Sequence, residues 1–128
     1  MSSNPTVRSE GAATVVEVGG DLDVQTGPAL REVLYELAAK GGQDVVLDLS
    51  QVSFLDSSGL GVLVGALKRT RAAGGSLRLA GCSGSVLDVL TLTGLNRVFA
   101  LEPDVATALA GEGPDTVIVL PAEEPTPA

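Results

Sequence analysis

The sequence of 128 residues contains no histidine and no tryptophan, one cysteine (Cys82), and only Tyr35, Phe54 and Phe99 as aromatics. Each shortage closes a class of function. Without histidine there is no Ser-His-Asp or Cys-His nucleophile, and the commonest metal ligand is missing, so an enzyme would have to work with carboxylates, Lys and Arg alone. One cysteine builds neither a disulfide framework nor a thiolate metal site, which fits a reducing cytosol. Three aromatics offer no platform for stacking bases. Bases are also scarce: 8 Lys and Arg face 16 Asp and Glu, for a net charge of −8, and no basic stripe is present to neutralise phosphates. The first residues, Met1 to Thr6, carry neither the charged region nor the apolar run of a secretory leader. No apolar stretch reaches the roughly 18 residues of a membrane span. The expectation is a cytoplasmic protein that is not an enzyme, needs no metal or cofactor, and has neither nucleic acid nor membrane as partner.

What is present is a globular composition, 45% apolar and 19% charged, at a length suited to one domain with its own core. Thr6–Ser9 and Ala13–Val18 read as strands joined by a turn at Glu10-Gly11-Ala12. Gly19–Asp23 reads as a loop. Thr26 is the expected N-cap of a helix with Pro28 in its first turn, and Leu30, Val33, Leu34 and Leu37 fall at the i, i+3, i+4, i+7 spacing of an amphipathic face, ended by Gly41-Gly42. Asp44–Leu49 is nearly continuous in its apolarity, as a strand covered on both faces should be. A second helix opens at Asp56–Ser58, with Leu60, Leu63, Val64 and Leu67 on its apolar face and Lys68, Arg69 and Arg71 near the end that favours positive charge. Ser76–Ala80 alternates as a strand, Val86–Leu90 predicts a third helix closed by Gly94, Arg97–Leu101 a fifth strand, and Asp104–Ala110 a final short helix.

The order ββαβαβαβα predicts an α/β fold, a mixed five-stranded sheet with parallel pairs and right-handed crossovers, its helices packed mainly on one face. The predicted domain spans 1–110. Residues 111–128 differ in character: Pro114, Pro121, Pro125 and Pro127 stand among four acids with no base, half of the net charge. They are expected to form a mobile acidic tail, although Thr116–Leu120 has the composition of an edge strand.

The strongest local signal is Phe54-Leu55-Asp56-Ser57-Ser58-Gly59-Leu60-Gly61. Helix capping accounts for one or two of the polar residues. It does not account for two glycines in the first turn, each costing about 1 kcal/mol relative to Ala. Such glycines leave backbone uncovered beside the hydroxyls, suited to the close approach of another molecule. A second, weaker constellation is Gly20-Asp21-Leu22-Asp23. Loops after parallel strands gather on one face, so Asp21 and Asp23 should lie near Asp56. Three carboxylates beside two hydroxyls make either a hard-cation site or an acidic recognition surface. Gly59-Leu-Gly61-Val-Leu-Val-Gly65 imitates a dinucleotide fingerprint, but its glycines fall inside a helix and no acid ends the following strand. Asp56 as the phospho-acceptor of a receiver domain would want a lysine after a late strand, and Arg97–Leu101 brings none.

The chain resembles the STAS domain family in its bacterial anti-sigma-factor antagonist branch. The resemblance covers about residues 6–110 and rests on Gly20-Asp21-Leu22-Asp23, Val46-Leu47-Asp48-Leu49, Phe54–Val62 and Leu92-Thr93-Gly94-Leu95-Asn96-Arg97-Val98-Phe99, in the family's order and spacing. It implies that Ser57, directly after the aspartate, is phosphorylated by an anti-sigma factor that is itself a serine kinase of the histidine-kinase-like ATPase superfamily. By the same resemblance the unphosphorylated protein captures that factor and frees the sigma factor, and a PP2C-type phosphatase restores the modified form. The implied partner-binding residues are Asp21, Asp23, Asp56, Ser57, Ser58, Gly59, Leu60 and Gly61, with Ser58 capping the helix beneath. The alternative within the family is a scaffold or ligand-binding subunit of a stress-sensing or transport complex, and the serine at 57 favours the switch.

Overall fold

The computed structural model describes residues 4–110; the predicted tail, 111–128, lies outside them. Strand β1 (Thr6–Glu10) is followed by β2 (Ala13–Leu22), α1 (Gly27–Ala39), β3 (Asp44–Leu55), α2 (Ser57–Ala72), β4 (Ser76–Ala80), α3 (Gly84–Leu92), a 3₁₀ turn (Leu95–Arg97), β5 (Ala100–Glu102) and α4 (Val105–Ala110). The sheet runs β1-β2-β3-β4-β5, with β1 antiparallel to β2 and every other pair parallel. The expected α/β class and element order are both present.

Alternation along the central strands assigns the two faces. Val16, Val18, Val45, Leu47, Leu49, Leu77 and Leu79 pack with Leu30, Leu34 and Leu37 of α1, Leu63, Ala66 and Leu67 of α2, and Val86 and Leu90 of α3. The intervening Val15, Val46 and Ala80 meet Ala108 of α4 on the other side. Three helices therefore cover one face and a single short helix part of the other. Arg78 holds that short helix down: its guanidinium donates to the Ala108 carbonyl at 2.7 Å and pairs with Asp44 at 2.8 Å.

The structure corrects three boundaries. Gly19–Asp23 is not a loop: β2 continues to Leu22, and its register against β3 slips between Glu17 and Gly19 and again between Gly20 and Asp21. Glycines disguise a strand because they bring no side chain to an alternating pattern, yet they suit the bulges that such slips require. β3 likewise runs on to Leu55, whereas β4 pairs with it only from Asp44 to Asp48. The last residues of β2 and β3 thus leave the main sheet as a two-stranded ribbon. Finally, Arg97–Phe99 is not strand. Val98 and Phe99 both turn their N–H groups back to the Leu95 carbonyl and bury their side chains in the larger core, and β5 begins only at Ala100. No helix among the described residues is long and apolar enough to cross a membrane.

Candidate functional site

The ribbon ends where α2 begins. The Asp56 N–H donates to the Leu22 carbonyl at 3.3 Å, joining the end of β2 to the start of α2. Asp56 is the N-cap, in extended conformation, and one of its oxygens, Oδ1, accepts three hydrogen bonds: from the Ser58 N–H at 2.9 Å, the Gly59 N–H at 3.0 Å and the Ser58 hydroxyl at 2.7 Å. These donors, the Gly59 amide first and the Ser58 hydroxyl next, favour the ionised carboxylate and hold its pKa below the ordinary value. The Leu60 N–H meets the Asp56 carbonyl at 2.9 Å. The first turn of α2 is thus capped by the chain's own anion.

The two serines differ in kind. Both are exposed. Ser58 is bound to Asp56 through amide and hydroxyl together, as expected of a residue that helps cap the helix. Ser57 follows the cap, and among the described residues its hydroxyl has no hydrogen-bond partner. The glycines also divide. Gly61 faces open space, as expected. Gly59 does not: it is buried, and a Cβ there would land on the Leu22 carbonyl oxygen and lie 2.8 Å from Leu55 Cδ1. Its missing side chain admits the neighbouring strand, not an outside molecule, and Leu60 beside it is half-buried against the core. Gly65 makes room for the Tyr35 hydroxyl of α1. The apparent dinucleotide fingerprint is thus two packing contacts and one exposed position.

The carboxylates of the β2 end are equally occupied. Asp23 Oδ1 accepts from the N–H groups of Gln25 at 3.0 Å and Thr26 at 3.1 Å, and the Asp23 carbonyl accepts the Gly27 N–H at 2.7 Å. Thr26 holds the N-cap position but its side chain does not cap; its hydroxyl donates to the Asp21 carbonyl at 2.7 Å and accepts from the Asp23 N–H. The Asp23 carboxylate instead fixes the turn that leads into the helix. Asp21 receives the Ser53 hydroxyl at 3.4 Å, and the Ser53 carbonyl receives the Ser85 hydroxyl at 2.7 Å, which ties α3 to the end of β3. Asp21, Asp23 and Asp56 stand on neighbouring elements, but Asp23 and Asp56 serve the backbone that follows them while Asp21 takes a hydroxyl from the adjacent strand, and among the described residues no group of three or more acids, cysteines or histidines is arranged to hold a metal ion. Sequence reasoning missed Ser53 and Ser85, whose roles depend on cross-element contacts that no spacing encodes.

Comparison with known proteins identifies the family. The family model of the STAS domain matches residues 4–108. An anti-sigma-B factor antagonist of Bacillus subtilis is 38% identical over 98 residues, covering 77% of this chain and 89% of the relative. The crystal structure of an anti-sigma factor antagonist from Mycobacterium paratuberculosis superposes with a TM-score of 0.75 at 29% identity, over 83% of this chain and 90% of that one. SpoIIAA, an anti-sigma factor antagonist solved in unphosphorylated and phosphorylated forms, shares the fold in both, with TM-scores of 0.63 and 0.64, at 19% and 20% identity, over 83% and 82% of this chain and 93% and 96% of the respective structures. The chain belongs to the STAS domain family.

Proposed function

We propose that this protein is an anti-sigma factor antagonist: unphosphorylated, it captures an anti-sigma factor of the serine-kinase type and releases the sigma factor, and phosphorylation on Ser57 abolishes capture. It regulates transcription indirectly and acts by binding. A PP2C-type phosphatase returns the modified form to service. The observation that carries this reading is the unequal treatment of the two serines. A kinase needs a hydroxyl it can take, and Ser57 offers one that gives up no internal bond. Ser58 would first have to release the Asp56 carboxylate 2.7 Å away. The names of relatives at 38% and 42% identity support the antagonist role.

Electrostatics supports the direction of the switch. A phosphate adds about −1.5 to −2 charges. On Ser57 it stands beside the ionised Asp56, and unit charges about 4 Å apart at an effective dielectric near 20 interact by about 4 kcal/mol. In the free protein water screens most of this. Against a partner surface matched to a neutral hydroxyl the charge is desolvated, and a penalty of about 3–4 kcal/mol removes two to three decades of affinity.

The test compares Ser57→Asp and Ser57→Ala with the wild type in melting temperature and in affinity for the anti-sigma factor. Ser57→Asp should lose binding without unfolding, and incubation with ATP and the anti-sigma factor should place phosphate on Ser57 by mass spectrometry. Wild-type affinity in Ser57→Asp, or phosphate only on another residue, would refute the reading.

A further inference from the structure

Val24 and Phe54 are large apolar side chains left exposed, at 70% and 47%, and they flank the junction of Leu22 with Asp56. Phe54 lies two residues before Asp56 on the ribbon, directly across from Asp21. Val24 lies two residues after Leu22. Neither exposure is a by-product of folding. Val52 and Leu55, on the same stretch of β3, already fill the core there, and the only other phenylalanine, Phe99, is buried. Val24 is displayed on a turn that Asp23 fixes through the N–H groups of Gln25 and Thr26. Phe54 is displayed on a paired strand. Both are held in place before any partner arrives, which lowers the entropy lost on binding. An exposed aromatic on a rigid support is the feature that dominates interface energetics.

The surroundings define what would receive them. Residues 19–26 and 51–61 contain Asp21, Asp23 and Asp56 and no base. An apolar centre bordered by charges of one sign calls for an apolar pocket with a basic rim.

We propose that Phe54, with Val24 as its lesser companion, is the apolar anchor of this surface, and that the anti-sigma factor presents a basic-rimmed apolar pocket for it. This rests on the function proposed above and makes Phe54 the leading apolar contact, leaving to Ser57 the veto. The experiment titrates wild type, Phe54→Ala, Phe54→Leu and Val24→Ala against the anti-sigma factor that the wild type captures, at low and at raised salt, with melting curves for each. Phe54→Ala should weaken binding by about tenfold or more, Phe54→Leu should fall between, and Val24→Ala should lose less. Melting temperatures should change little, and raised salt should weaken the wild-type complex. Wild-type affinity in Phe54→Ala overturns the anchor, and if that variant melts early, the same result in Phe54→Leu overturns it. Indifference to salt overturns the basic rim. If the wild type captures no kinase-type anti-sigma factor, the function itself is wrong and the anchor falls with it, a result distinct from a wild type that binds and a Phe54 variant that binds equally.

Discussion

At Asp56 one oxygen gathers three donors, and the consequence depends on pH in a definite direction. A carboxyl whose folded pKa lies below its ordinary value stabilises the fold in full above that ordinary value and loses the contribution as pH falls through the lowered one. Asp56→Ala should therefore melt below the wild type at neutral pH, and the gap should close as pH drops through the carboxylate range and below it; melting curves across that range check it, and a gap that stays constant would remove the capping interpretation. The glycines of the same turn predict opposite signs. Gly59→Ala forces a methyl group against the Leu22 backbone and should destabilise by about 1–3 kcal/mol. Gly61→Ala meets nothing within 4 Å and should be neutral or stabilise by up to about 1 kcal/mol. Denaturant titration of the pair decides both. Cys82 is a third case: burial pushes its thiol up to about 11, so alkylation at pH 8 should be far slower than for an unstructured cysteine.

Among the elements, α1 and α2 meet through a contact built from one absence and two side chains. Gly65 leaves space for the Tyr35 hydroxyl, and Arg69 lies over the Tyr35 ring at 4.2 Å from its centroid. Gly65→Ala should displace the hydroxyl end of Tyr35, and adding Tyr35→Phe should recover part of the lost stability, a coupling that a double-mutant cycle measures. The legibility of the elements follows a pattern. Helices α1, α2 and α3 were readable because their buried apolar residues repeat at helical spacing and positive-φ glycines, Gly41, Gly74 and Gly94, end them or follow closely. The strand ends were not readable, because Gly19–Leu22 and Gln51–Leu55 pair with each other outside the alternating pattern, and pairing is a property of two segments at once. The serine turn was legible as a capped helix start from its residues alone. That Gly59 points inward was not, since only the position of Leu22 in space makes it so.

For the molecule as a whole, the sheet separates two ends with different duties. The Arg78–Asp44 pair and the Ala108 carbonyl fasten α4 beside the N-terminal half of β3, while the candidate site lies where β2 and β3 finish. Arg78→Leu should therefore raise hydrogen exchange in residues 105–110 and lower global stability by about 1–3 kcal/mol, while, on the proposed function, affinity for the anti-sigma factor is unchanged. A parallel loss of affinity would mean that the two ends communicate.

The cap on α2 has a further consequence for how long a modification lasts. Because the chain's own carboxylate already occupies the helix terminus, a phosphate on Ser57 finds the N–H groups of Ser58 and Gly59 taken and stays in the solvent. Among the described residues no group is then left to shelter the ester, and none of them has to open for it to be hydrolysed. On the proposed function, the protein keeps no memory of its own: the fraction modified at any moment is set by the relative rates of the enzymes that write and erase the mark.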